Sequence, residues 1–259
     1  MAKNLRGRRA LVTGGATGIG RATTERLAAD GADVVVNYVG DPGPAAETVR
    51  AVEAAGATAL AIEADVSDEQ AVESMFREAR ATFAAPVDLL VNNAGIEQPF
   101  PLVEMELADW QKVIDVNLTG PFLCSRRFAR DLIEVAAPGV IVNVTSVHEQ
   151  IPWPTYAHYC ASKAGLKLFA QTIARELAPH RIRVVNVAPG AILTPINKEL
   201  QENSDKREEV LRQIPWGRFG EPEEIASAVA WLCGDQSEYV TGATLFVDGG
   251  MTLYPGVTP

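Results

Sequence analysis

Short apolar runs alternate with longer amphipathic stretches along almost the whole chain. The apolar runs cover residues 10–13, 33–38, 58–63, 87–92, 139–145, 183–188 and 244–248, each of strand length. Between them, 18–30, 43–56, 68–84, 107–135, 155–179 and 222–234 show helical spacing. Strands that are apolar almost throughout must be buried on both faces, as parallel strands under crossover helices are. Seven such strands predict an α/β architecture with an open, doubly wound parallel sheet and helices on both faces, rather than a closed eight-stranded barrel. The long helical stretch should break near Asn117, Gly120 and Pro121. Pro222 with Glu223 and Glu224 makes a good helix start, with Pro at the first position and acids in the first turn.

No linker, repeat or low-complexity tract divides the 259 residues, so 1–259 reads as a single domain. Residues 41–44 read as a tight turn, and the charged excursion at 201–209 has the length of a lid. Hydrophobic residues make up 47%, enough for a buried core. The formal net charge of -10 offers no basic surface to nucleic acid or anionic lipid. Cys124, Cys160 and Cys233 are widely spaced with no C-x-x-C pattern, which argues against a disulfide framework or a zinc site. No metal-ligand cluster is visible. The apolar run behind the basic N-terminus is too short for a signal peptide, and the uncharged run at 184–197 is broken by Pro189, Gly190 and Pro195. The expectation is a soluble cytoplasmic protein.

Candidate chemistry begins with Gly14, Gly18 and Gly20, spaced G-x-x-x-G-x-G between the first strand and the first helix. Glycines allow a tight turn and a close backbone approach, and the helix N-terminus behind them presents unpaired N–H groups to a phosphate. In this strand–loop–helix context the pattern predicts a dinucleotide site in a Rossmann-like fold. The second strand ends at Asn37-Tyr38 and continues as Val39-Gly40, with neither an acid for a ribose hydroxyl nor an Arg for a 2′-phosphate. Use of NADP, with NAD as well, is the expectation. Asp65, ending the third strand, has two readings: an acceptor for the adenine amino group, or a cap for the helix that follows.

The second candidate is Tyr159 with Lys163, at i and i+4 of a helix, where the two side chains share one face. A cation beside a phenol favours the phenolate. Bringing a Tyr from its free value near 10 to neutrality takes about 4 kcal/mol. One unit charge at about 4 Å supplies roughly that at an effective dielectric near 20. The pair is thus expected to make a proton-transfer group near neutral pH.

Together these pieces resemble a short-chain dehydrogenase/reductase over nearly the whole length. The residues that carry the resemblance are 13–20, Asn92-Asn93-Ala94-Gly95, Asn117 in Val-Asn-Leu-Thr-Gly, Ser146, Tyr159 with Lys163, and Pro189-Gly190 followed by Thr194. Within the family the chain is most similar to bacterial glucose dehydrogenases, through 146–149, 151–154, 190–197 and 244–255. The resemblance implies a catalytic tetrad. Tyr159 would be the general acid/base and Lys163 its partner, also holding the nicotinamide ribose. Ser146 would bind the reacting oxygen, and Asn117 a water linking Lys163 to solvent. It implies cofactor contacts from Gly14, Thr17, Gly18, Ile19, Gly20, Asn37, Tyr38, Asp65, Val66, Asn93, Ala94, Gly95, Pro189, Gly190, Ile192 and Thr194, besides Tyr159 and Lys163. Glu97, His148 and Asn197, just after the fourth, fifth and sixth strands, would recognise a sugar, with Ser146 and Tyr159 completing the substrate site. His158 is expected to point away from the site, and Cys160 to be a packed thiol. The implied reaction is hydride transfer between NAD(P) and a secondary alcohol or ketone, such as glucose going to its lactone. A carbonyl or 3-oxoacyl reductase with the same tetrad, or a nicotinamide-binding sensor without turnover, are the alternatives. Two departures count against the glucose and NADP readings: Leu193 stands where a polar Asn is usual, and Val39 where a basic residue is. The resemblance also implies a homotetramer paired through the helices at 118–135 and 155–179.

Overall fold

The structure, a computed structural model, describes residues 4–194 and 204–253. Strands β1 (Arg9–Val12), β2 (Asp33–Tyr38), β3 (Ala59–Glu63), β4 (Leu89–Asn92), β5 (Gly139–Val144), β6 (Ile182–Pro189) and β7 (Thr244–Val247) form one parallel sheet in the order β3-β2-β1-β4-β5-β6-β7. The doubly wound sheet expected from the apolar runs is thus present. Helices α1 (Gly18–Ala29), α2 (Pro42–Ala54) and α8 (Pro222–Cys233) cover one side. Helices α3 (Glu69–Phe83), α5 (Gly120–Glu134) and α6 (Ala157–Leu177) cover the other. Alternate residues of each strand supply the two cores: Ala10, Val12, Val34, Leu89 and Val142 face α1 and α8, while Leu11, Val35, Leu90 and Ile141 face α3, α5 and α6.

Local signals start and stop the helices. Asp68 caps α3 by accepting from the Ala71 N–H at 2.9 Å, and Val72, Met75, Phe76 and Ala79 form its buried stripe at helical spacing. Asp41 caps α2 in the same way, with Pro42 at the first position. The stretch read as one helix over 107–135 is α4 (Leu107–Ile114), a π-helical turn (Asp115–Thr119) and α5. Pro121 has no N–H to give the carbonyl four residues back, that of Asn117, so the ladder must shift where it does. The stretch at 155–179 begins later than its spacing suggests, because Thr155 takes a left-handed φ of 70° and blocks helix entry. The charged excursion is partly helical: α7 (Ser204–Leu211) buries none of its side chains.

A row of buried amides crosses the sheet. Asn92 donates to Asn143 at 2.8 Å, Asn143 to Asn186 at 3.1 Å, and Asn186 to the Thr244 hydroxyl at 3.2 Å. These four residues are register partners on β4, β5, β6 and β7. A slip by one residue would strand each amide in the core without a partner, so the row specifies register.

Phe128 of α5 is fully buried against the sheet. Phe128→Ala should cost about 3–5 kcal/mol of stability. Urea unfolding followed by circular dichroism checks this; a loss under about 1 kcal/mol would show that the α5 core collapses around the void.

Candidate active site

The chain leaves β1 and β4, neighbours at the point where strand order reverses, in opposite directions, and a crevice opens at their C-terminal ends. The glycine loop forms one wall. Gly14 has a φ of 60°, and a Cβ on Gly20 would lie 2.0 Å from the Gly14 carbonyl oxygen, so helix and loop touch backbone to backbone. Thr17, the α1 N-cap, makes no side-chain cap hydrogen bond, and the first turn carries no acid. The N–H groups of Gly18, Ile19 and Gly20 are thus left for an anion.

Two residues expected to touch the cofactor also hold this loop. Asn37 is buried; its Oδ1 accepts from the Gly14 N–H at 3.1 Å and its Nδ2 donates to the Ala64 carbonyl at 2.9 Å. Asn93 donates to the Thr13 and Gly14 carbonyls at 2.9 and 3.2 Å. Their side chains brace the wall, because a loop of small residues has no side-chain packing of its own. Tyr38 packs with Ala16 and Ala45, and Val66 packs under Gly120. Asp65 is exposed and accepts from the Ser67 N–H and hydroxyl, while the helix cap is Asp68. Of its two readings, capping α3 is therefore excluded. On the far wall, Pro189 ends β6, Gly190 lies so close to Asp248 that a Cβ would approach its Cα to 2.8 Å, and Ile192 bridges to Gly220. Ile192 and Thr194 are both buried. Asn197 lies outside the described residues.

The tetrad gathers where β4, β5 and α6 meet. Ser146 follows β5; its Oγ accepts from the His148 N–H at 3.2 Å and also hydrogen-bonds the Tyr159 phenol. Lys163 is buried and donates to the Val144 carbonyl at 3.0 Å, with its Nζ 5.6 Å from the centre of the Tyr159 ring. Asn117, in the π-turn, accepts from the Ile96 N–H and donates to the Ile96 carbonyl, both at 2.9 Å, and donates to Ser162 at 3.2 Å. Its side chain therefore clips the β4 exit loop to α6.

The electrostatics correct one expectation. Tyr159 is not brought to neutrality by Lys163. Burial pushes its phenol above the ordinary tyrosine range, the Glu97 charge pushes it further, and only the Ser146 hydrogen bond opposes them. Burial also pulls Lys163 down to about 8, against the upward effect of Glu97 and Glu149. Desolvation dominates at both groups, with Lys163 buried and Tyr159 half-buried.

The substrate side also holds aromatic residues to which the sequence assigned no role of their own. Trp153 stacks on His148 at 4.4 Å and on Tyr156 at 3.7 Å, and stands edge-on to Tyr159 at 6.0 Å. This gives the crevice an aromatic wall beside the phenol. His148 Nδ1 lies 3.2 Å from the Ile151 carbonyl, so the proton sits on Nδ1 and Nε2 remains an acceptor. Burial lowers the His148 pKa and keeps the ring neutral. Glu97 is half-buried and raised by desolvation, with Lys163 opposing. Glu149 is buried behind the turn and ion-paired to Lys167 at 3.1 Å. A carboxylate directly after His148 was the available signal, but nothing in the sequence shows which way it turns. His158 is buried with its ring edge-on to Phe100, and Cys160 is half-buried with its thiol raised by desolvation.

The family model described as enoyl-(acyl carrier protein) reductase matches residues 14–252. The chain is 50% identical over 256 residues to 3beta-hydroxysteroid dehydrogenase 1 of Eggerthella lenta, covering 99% of this chain and 98% of that one. It is 44% identical to glucose 1-dehydrogenase 2 of Bacillus subtilis, over 98% of each chain. It is 41% identical to a 3-oxoacyl-[acyl-carrier-protein] reductase of Synechocystis, over 95% of this chain and 97% of that one. A solved structure from Agrobacterium tumefaciens with bound NADP, provisionally described as a 2-deoxy-D-gluconate 3-dehydrogenase, superposes with a TM-score of 0.90 at 36% identity, covering 97% and 99% of the two chains. The chain belongs to the short-chain dehydrogenase/reductase family, oxidoreductases that use NAD(P). The geometry fits that cofactor: α1 presents its N–H groups uncapped, and a Cβ on Gly20 would collide with the Gly14 carbonyl, so the loop can lie close to a phosphate.

Gly20→Ala should weaken NAD(P) binding at least about tenfold while the protein stays folded, since the backbone of the loop must move. Quenching of tryptophan fluorescence on titration measures it; unchanged affinity would mean the loop does not hold the phosphates. Glu97→Gln removes a charge that raises the Tyr159 pKa. The acid limb of alcohol oxidation, which needs the phenolate, should then move to lower pH. A profile of kcat/KM against pH that stays put would place Glu97 outside the reach of the phenol.

Proposed function

We propose that the protein is an NAD(P)-dependent dehydrogenase that oxidises a secondary alcohol carried on a ring, with a sugar such as glucose, going to its lactone, as the preferred substrate. The observation that carries this is the cluster of Ser146, Tyr159 and Lys163 beside two hydroxyl acceptors, Glu97 and the Nε2 of His148. A site that pairs several hydroxyls rejects analogues lacking them.

When bound, an oxidised nicotinamide would supply the hydride acceptor and, before the transfer, a positive charge. Tyr159 takes the proton of the reacting hydroxyl, and Ser146 holds that oxygen. Lys163, with one N–H on Val144, turns its remaining donors to the ribose and keeps a positive charge in the crevice. In the protein alone the phenol stays protonated, so the base forms only once the site has filled with positive charge. Asn117 can serve a water link only through its main-chain carbonyl, which Pro121 leaves without its ordinary helical donor. Of the cofactor residues, Gly14, Gly18, Ile19 and Gly20 would hold the phosphates, and Ile192 and Thr194 the carboxamide. No His, Cys, Asp and Glu grouping among the described residues could hold a metal ion.

A second reading, a hydroxysteroid, is favoured by the aromatic wall of Trp153 and Tyr156 and by the similarity to the Eggerthella lenta enzyme. An acyl-thioester reductase is the third. The protein is further proposed to be a cytoplasmic homotetramer with one domain. No helix among the described residues is long and apolar enough to cross a membrane, and Phe122, Ile133 and Leu168 stay exposed on α5 and α6, the helices expected to pair.

A panel of aldoses, 3β-hydroxysteroids and 3-oxoacyl thioesters with both cofactors, followed by nicotinamide absorbance, tests the substrate. Sugars should turn over fastest; turnover of steroids or thioesters without sugars would overturn the sugar reading. Tyr159→Phe should lose at least about a thousandfold in kcat with little change in cofactor affinity, as removal of a proton-transfer group does. Retained turnover would rule out its role.

A further inference from the structure

In a doubly wound fold the residue ending the second strand meets the adenosine ribose, and an acid there favours a free 2′-hydroxyl over a 2′-phosphate. Here β2 offers no charge. Asn37 is consumed beneath the glycine loop, Tyr38 packs with Ala16, and Val39 is an exposed aliphatic residue. The neighbouring strand fills the gap. Glu63, the last residue of β3, is the register partner of Tyr38, and its Oε1 accepts the Gly40 N–H at 3.3 Å. That contact holds an exposed carboxylate against the turn by which the chain leaves β2.

The surroundings do not neutralise it. Glu63 forms no ion pair among the described residues. Arg21, on the first turn of α1, is held by Glu25 at 2.8 Å and by Glu47 at 3.2 Å. Asp41 adds a further carboxylate where it caps α2. A 2′-phosphate approaching Gly40 would meet net negative charge, whereas a 2′-hydroxyl could donate to it.

We propose that Glu63, reaching across from β3, takes the place of the missing acid on β2 and selects NAD over NADP. The inference rests on the cofactor reading above and narrows it, since the uncharged end of β2 by itself admits both.

Dissociation constants for NAD+ and NADP+, measured by calorimetry at low ionic strength, test it without turnover. NAD+ should bind about tenfold or more tighter, since one uncompensated charge within a few ångströms is worth that much in a half-solvated setting. The gap should shrink in salt. Glu63→Gln should tighten NADP+ severalfold and leave NAD+ nearly unmoved, and Glu63→Lys should carry the change further. The fragments 5′-AMP and adenosine 2′,5′-bisphosphate should repeat the pattern. Equal affinities in the unaltered protein, or a ratio that folded Glu63→Gln leaves in place, would overturn the proposal. Failure of both dinucleotides to bind the unaltered protein would overturn the cofactor reading itself, and this proposal with it.

Discussion

Register is the constraint from which the rest follows. Asn92, Asn143, Asn186 and Thr244 lie side by side across the sheet, the three asparagines buried, and each asparagine donates to the next residue in the series. Each link is worth little on its own, but each broken link leaves a buried amide exposed to an apolar surrounding, which is costly. The pairing is therefore close to all-or-none. It sets where β4, β5 and β6 end, and those ends launch the segments that carry Asn93, Ser146 and Ile192. The geometry of the crevice is a by-product of that alignment.

Within the crevice two effects compete. Bringing Tyr159 and Lys163 together on α6 favours the charged forms, and burying them disfavours both. In the protein alone burial prevails: the phenol rises, and the ammonium falls to about 8. The same desolvation keeps His148 neutral and raises Glu97, so the substrate side presents acceptors of different strength. The aromatic stack of His148, Trp153 and Tyr156 holds the wall rigid beside them.

Periodicity carried much of this information. Apolar runs bounded by turns gave seven strands because a parallel strand is buried on both faces and leaves an uninterrupted signature. Pro121 marked the helix break, since a missing N–H is a property of the residue itself. The glycines of the phosphate loop were legible for the same reason: their requirement is local, a backbone approach that any Cβ would block. Tyr159 and Lys163 share a helix face by spacing alone.

Side-chain destinations were not legible. Spacing gave no sign that Asn37 and Asn93 spend their amides on the glycine loop, a choice settled by which groups the folded loop brings within reach. Asn117 reads as a water site, and the spacing gave no sign that its side chain also clips Ile96. Trp153, Tyr156 and Glu149 gave no periodic signal, because they sit in an irregular loop and a short turn whose directions only packing defines. The sign of the Tyr159 shift was decided in three dimensions as well. Spacing reports which charges are neighbours, whereas desolvation depends on how much water the whole fold excludes. Covalent and local backbone requirements were thus written in the chain, and everything that depends on distance between remote segments was left to the tertiary structure.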